Sequence, residues 1–242
     1  MPPEISIASE KIFSFGSWPV TNSLLLSFVA LLILISLAIV LRKRLAVVPG
    51  KFQIGFEMML EALFNLMDSV LGDRRLSEKY LPIIASIFLF VLTSNWLGLL
   101  PLGSIMMRNG RGIPLFRSPA SDLNFTLAIA VIAILGVQLA GILGLGIKTH
   151  FRKFFTLKNP IFTFVGLLEF ISEFIKIISF SFRLFGNVFA GEVLLAIVGF
   201  LVPYFVPLPF LFLEVFVGFI QAFIFSMLTL VFIAMATKEE AH

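Results

Sequence analysis

Long apolar runs alternate with short polar breaks along this chain, and the runs predict helices of membrane-crossing length. Residues 21–41 form the first: Thr21–Leu41 is almost uniformly apolar and stops at Arg42-Lys43-Arg44. A span needs about 20 such residues. Similar runs cover residues 80–100, ending at Pro101, and 122–147, where Ser121 or Asp122 is the expected N-cap. Residues 51–72 keep a different period. Phe56, Met59, Leu60, Leu63, Phe64, Met67, Val70 and Leu71 recur at helical spacing, and Glu57, Glu61, Asn65 and Asp68 line the opposite side. The pattern predicts an amphipathic helix lying at the interface after a turn at Pro49-Gly50. Its acidic face can meet water or a partner protein, and a solvated face is the plainer reading.

Residues 160–202 are the unusual stretch. Between Pro160 and Pro203 the chain is apolar with no internal proline. One helix of that length would run roughly 60 Å at about 1.5 Å per residue, twice the hydrocarbon thickness of about 30 Å. A hairpin at Gly186-Asn187 would leave a return span of only about 15 residues, too short to cross. One helix tilted beyond the usual average of about 20° fits better, with Gly186 or Gly191 as the place for a kink. Residues 210–236 form a second long run, joined to the first through the proline-rich Pro203–Pro209. The expectation is an all-α polytopic membrane protein, one membrane domain over residues 1–242. It has about five membrane helices, one interfacial helix and a tilted helical hairpin at the end.

Composition narrows the class. Hydrophobic residues make up 59% of the chain and charged residues 13%, against about 25% charged in soluble domains. The net charge of +4 does not point to nucleic acid, because lysines and arginines gather at the ends of the apolar runs. With no cysteine there is no disulfide or thiolate metal site, and His150 and His242 alone cannot build a metal cage. No metal and no cofactor are expected. Glu4, Glu10 and Lys11 with no basic leader and no small-residue cleavage site suggest that the first apolar helix is retained. The motif Gly-x-x-x-x-Gly-Lys-Ser/Thr is absent, so the chain itself is not expected to bind or hydrolyse ATP.

The basic residues suggest an orientation. Positions 42–44, 51, 74, 75, 79, 148, 152, 153, 158 and 238 fall on one side of the predicted spans. Lys11, Arg108, Arg111 and Arg117 fall on the other, and Lys176 and Arg183 lie at depth. That bias favours an outer N-terminal segment (residues 1–20) and a cytoplasmic C-terminus. Residues 103–121, with Gly110, Gly112, Pro114 and Pro119, then form an outer polar loop, and 148–158 a cytoplasmic one.

The charges at depth carry the candidate chemistry. Arg183 cannot shed its proton, and arginine near a helix centre costs about 2.5–3.5 kcal/mol on insertion scales. At roughly 100° per residue, Lys176, Arg183 and Asn187 share one face, with Glu169 and Glu173 near it toward the cytoplasmic end. Glu192 points to the opposite side, and Glu214 and Gln221 share a face of the last helix. A static salt bridge from Arg183 to Glu214 or Glu192 is the structural alternative. It explains poorly why a carboxylate faces away from the arginine. Snorkelling serves Glu169, Glu173 and Lys176 nearly as well as lining a path, and Asp122 is equally an N-cap or a path residue. Gln138 has no role readable from spacing.

These residues resemble a known family. Phe182-Arg183-Leu184-Phe185-Gly186-Asn187 followed by Ala190-Gly191-Glu192 closely resembles the signature of subunit a of the rotary F-type ATP synthases. Asn95-Trp96-Leu97-Gly98-Leu99-Leu100-Pro101, then Asp122-Leu123-Asn124-Phe125-Thr126, then Gln221-Ala222-Phe223-Ile224-Phe225 follow in the family's order and extend the likeness over most of the chain from about residue 80.

The resemblance implies a stator subunit packed against a ring of c subunits, with peripheral-stalk b subunits and other ATP synthase subunits as further partners. It also implies residence in an energy-coupling membrane, most simply the bacterial plasma membrane. In that family the arginine matching Arg183 faces the ring carboxylate and separates two offset half-channels. Positions matching Asn187, Glu192, Glu214 and Gln221 are polar functional positions, and Asn95, Asp122, Asn124, Glu169, Glu173 and Lys176 join the candidate ion path. Relatives often pair one Glu with one His at the two acidic positions, whereas this chain has Glu at both. The competing function class is a self-contained ion channel or secondary transporter, for which an internal repeat would be the sign; no convincing repeat is visible.

Overall fold

A computed structural model describes residues 9–15, 18–44, 50–100, 105–108, 111–114, 117–154, 160–202 and 205–237. The turn residue Pro49, the loop residues Pro101, Gly103 and Gly110, Lys158, Pro203, Lys238 and His242, and residues 1–8 of the N-terminal segment lie outside these ranges. A short hairpin, β1 (Lys11–Phe15) paired antiparallel with β2 (Trp18–Thr21), leads into α1 (Asn22–Arg44). Then come α2 (Lys51–Leu71) and α3 (Arg74–Leu99), a second hairpin of β3 (Ile105–Arg108) and β4 (Arg111–Pro114), and a 3-10 turn (Pro119–Ser121). The chain ends with α4 (Leu123–Leu145), the short α5 (Ile147–Phe154), α6 (Pro160–Leu201) and α7 (Pro207–Thr237). Of the described helices, α1, α3, α4, α6 and α7 are long and apolar enough to cross a membrane. The protein is an all-α polytopic membrane protein, and α2 is not one of these apolar candidate spans.

Local chemistry sets the helix ends. Gly72 closes α2 with φ of 75°, its N–H donating to the Asp68 carbonyl at 2.8 Å. A left-handed residue there is what glycine allows without a Cβ clash. Asp73 then caps α3 by accepting from the Arg75 N–H at 3.0 Å. This two-residue joint starts α3 at Arg74 rather than at Tyr80, because the cap outweighs the charged residues that blur the start of the apolar run. Asp122 caps α4 in the same way, accepting from the Asn124 N–H at 2.9 Å. Gly146, with φ of 83°, ends α4 and lets α5 turn off where a plain loop was expected.

The stretch from Pro160 is one uninterrupted helix of 42 residues, with no break at Gly186-Asn187. Gly186 and Gly191 both lie inside this continuous helix, since a lone glycine costs a helix only about 1 kcal/mol. Helices α3, α4 and α7 form the centre, flanked by α6 on one side, by α2 at one end and by α1 at the periphery. One packed cluster joins Phe88 and Val91 of α3, Ala130 and Ile134 of α4, Phe180 and Leu184 of α6 and Phe225 of α7. A second joins Leu63 and Met67 of α2 to Tyr80, Ile84, Val137, Leu230 and Ile233. The apolar face of α2 thus rests on the bundle's end, as its period requires.

Small residues carry the close helix contacts, as expected where lipid supplies no hydrophobic drive between helices. A Cβ on Gly218 would meet the Asn95 Cβ at 3.2 Å, and one on Gly98 would collide with Ser118. The Thr126 and Ser181 hydroxyls meet at 2.9 Å, tying α4 to α6. Because the spans alternate in direction, both hairpins and the 3-10 turn lie at one end of the bundle and α2 and α5 at the other.

Candidate functional site

Toward the hairpin end, α3, α6 and α7 enclose a cavity of about 230 Å³, lined among others by Asn95, Gly98, Ser118, Glu192, Glu214 and Gly218. Its walls are built by side chains that hold neighbouring backbones. The Asn95 Nδ2–H donates to the Gly218 carbonyl at 3.0 Å and the Trp96 Nε1–H to the Val215 carbonyl at 3.1 Å, which fixes α7 against α3. Glu214 is buried, and its carboxylate lies directly against Gly191, where any Cβ would overlap it. The glycine in Ala190-Gly191-Glu192 therefore makes the space for a carboxylate delivered by the next helix.

Glu192, on the same wall, is half-buried. Its Oε1 forms an ion pair with Arg117 Nε at 3.4 Å. The Glu192 Oε2, Asn95 Oδ1 and Ser118 Oγ atoms are buried without a hydrogen-bond partner among the described residues. Buried polar atoms are rarely left so, and unmet ones cost about 1–3 kcal/mol each. A cavity of this size, with carboxylate, amide and hydroxyl groups on its wall, has room for several waters at about 30 Å³ each. The site can therefore hold a wet chain running between two carboxylates.

Arg183 lies elsewhere. It is exposed on the opposite face of α6, as are Phe182, Gly186, Asn187 and Ala190. Among the described residues it makes no ion pair or hydrogen bond, so the static bridge to Glu192 or Glu214 is not formed. The antiparallel contacts Gly191–Glu214 and Phe180–Phe225 set the register of α6 against α7. That register brings the buried Gln221 to the height of Leu184, next to Arg183 in sequence.

Toward the other end of α6, the Lys176 Nζ–H donates to Glu173 Oε1 at 2.6 Å, and Nζ sits 4.7 Å from the Phe232 ring centroid. Glu169 is half-buried one turn further along. Asp122 and Asn124 do not line the cavity. Besides capping α4, Asp122 accepts hydrogen bonds from the Ser9 and Ser23 hydroxyls, while the exposed Asn124 folds its amide back onto Asp122 at 3.2 Å. Gln138 Oε1 accepts from His150 Nε2–H at 2.7 Å, which docks α5 on α4.

Three contributors escaped the sequence reading. Arg117 counted only as an outer loop charge, Ser118 was unmarked, and Gly218 had no visible duty. Nothing in the spacing links Arg117 to Glu192, since helical periodicity relates positions only within one element.

The fold and these sites define a polytopic helical membrane protein with two carboxylates lining one cavity on one side of a long helix and, on the other, an arginine without an ion pair among the described residues. The model of the family described as ATP synthase A chain matches residues 24–234. The chain is 32% identical to ATP synthase subunit a of Moorella thermoacetica, with 93% of this chain and 94% of that protein covered. It is 37% identical to ATP synthase subunit a of Mycobacterium bovis, covering 92% and 90%, and 34% identical to that of Gloeobacter violaceus, covering 90% and 84%. The chain belongs to the ATP synthase subunit a family.

Proposed function

We propose that this chain is the ion-translocating stator of a rotary ATP synthase and that Arg183 faces a carboxylate carried past it by a ring of c subunits. The carrying observation is the exposed Arg183 without an anion among the described residues. A buried or lipid-facing cation needs a counter-charge, so the missing anion belongs to a partner. The surface around Arg183 suits a moving one: Ser179, Gly186 and Ala190 keep it low beside the apolar Phe182 and Ile178. In lipid a carboxylate favours its neutral form; beside Arg183 the ionised form gains, and the proton leaves.

The two ends of α6 serve as the two access routes. Glu192, Glu214 and Asn95 around the cavity form the entry from the hairpin end, proposed as the outer side. Glu169, Glu173 and Lys176 form the cytoplasmic exit. Arg183 and Asn187 lie between them and on another face, so a proton cannot pass directly and must ride the ring. The membrane potential supplies about 2.3 kcal/mol per charge per 100 mV for that ride. Asp122 and Asn124 are positioned to hold the entry end together. A peripheral stalk would hold the chain still while the ring turns.

The test is Arg183→Ala in the complete complex. The complex is expected to assemble, with coupled ATP synthesis and ATP-driven pumping both lost. Near-normal coupled synthesis in that variant would falsify the assignment. The purified chain in liposomes is expected to pass little current until a ring is added, whereas strong selective flux on its own would identify a self-contained transporter instead.

A further inference from the structure

We propose that Arg117 is a positioning residue for Glu192, holding one carboxylate oxygen so that the other exchanges protons with the cavity; this rests on the relay reading of Glu192 given above. Arg117 is 7% exposed, so its permanent charge is committed to the interior of the hairpin end. Its anchorage does not depend on Glu192. The Nε–H donates to Ser121 Oγ at 3.0 Å, and the Ser121 hydroxyl donates to the Ser118 carbonyl at 2.9 Å. Those serines belong to the 3-10 turn and its cap, which pack against α1, α3, α4 and α6 together. The guanidinium is thus presented to α6 from a fixed platform.

The consequence for Glu192 is asymmetric. Oε1 is held by Arg117 at 3.4 Å, while Oε2 has no partner among the described residues and the side chain lines the cavity shared with Glu214. A carboxylate with one oxygen drawn toward a fixed charge favours one orientation, and a relay group works only within hydrogen-bond reach of its exchange partner. Arg117 also offsets one of the two carboxylates in the cavity. Without it, two acidic groups would share a confined space, and like charges there oppose each other. Arginine suits the position because its permanent charge stays beside the carboxylate while its Nε–H bonds the serine.

A purely structural arginine would stabilise the turn whatever stood at 192, so a double-mutant cycle separates the two roles. ATP-driven acidification of inverted membrane vesicles, normalised to the amount of the chain in the membrane, is the readout. Arg117→Gln is expected to slow pumping about tenfold, less than the roughly hundredfold that a reacting group misplaced by about 1 Å can cost. Arg117→Lys is expected to keep most of the rate, because the charge stays. In the Glu192→Gln background, Arg117→Gln is expected to cause no further slowing.

Equal slowing in both backgrounds, or a lysine variant no better than the glutamine one, overturns the inference while leaving the relay reading intact. Unaltered pumping in Glu192→Gln alone overturns the relay reading and this inference with it. Should Arg117→Gln fail to accumulate, the cycle is run with Arg117→Lys, whose smaller slowing must likewise vanish in the Glu192→Gln background.

Discussion

Gly191 has room for a hydrogen and nothing more, because the Glu214 carboxylate occupies the place of its side chain. Gly191→Ala must therefore move Glu214 or push α7 away from α6. Overpacking of this kind costs about 1–3 kcal/mol. The expected outcome is a complex that melts several degrees earlier and pumps slowly, measured by thermal denaturation and vesicle acidification. A variant with wild-type melting and pumping would mean that the two helices do not meet this closely. At this scale the sequence spoke clearly wherever one residue type was costly. Arg183 was legible because a permanent charge in an apolar run needs a reason, and the carboxylates Glu192 and Glu214 for the same cause. Arg117 was not, since among loop arginines its burial is visible only once the 3-10 turn folds against α6.

The joint between α2 and α3 is a small electrostatic device. Arg74 pairs with Asp68 at 2.8 Å and with Glu61 at 3.5 Å, and it stacks 4.0 Å above the Phe64 ring. The Ser77 hydroxyl and the Arg74 guanidinium hold the Asp68 carboxyl below its ordinary range. A depressed acid stabilises the folded joint fully above its unfolded pKa of about 3.9, and that stabilisation fades as pH falls through the lower folded value. The joint should thus be indifferent to pH from neutral to mildly acid and loosen only below that window. Hydrogen exchange across residues 66–80, corrected for intrinsic rates, should show the loosening in the native chain and not in Asp68→Asn; loosening already between pH 7 and 5 would contradict it.

Among elements, α6 was the most legible, because proline-free length excludes a hairpin by arithmetic. The α2 period was equally plain, and its hydrophobic stripe does rest on α3 and α7. The early start of α3, the α5 turn and both hairpins were not. Their signals are short caps and polar turns, which a search for apolar runs passes over.

Across the whole molecule, what distinguishes α6 is that one bar carries three environments in series: the Lys176–Glu173 pair, the exposed Arg183 and the cavity wall at Glu192. Gly186 lies on its exposed face, and a Cβ there would meet nothing within 4 Å. Gly186→Trp should therefore leave the fold of the chain intact while blocking a partner that slides across this face. The expected result is normal amounts of the chain in the membrane with coupled pumping lost, read by immunoblot and vesicle acidification; retained pumping would place the moving partner on another surface. The unpaired arginine also bears on how the chain is made. On the proposed function, a chain inserted without its ring would turn the Arg183 charge toward lipid. Such an orphan chain would carry the cost of a charge in lipid, and docking on the proposed ring would relieve it. A single guanidinium thus makes lifetime depend on assembly: in a pulse-chase, the newly made chain should vanish quickly from cells lacking the ring and persist longer there when Arg183 is replaced by leucine.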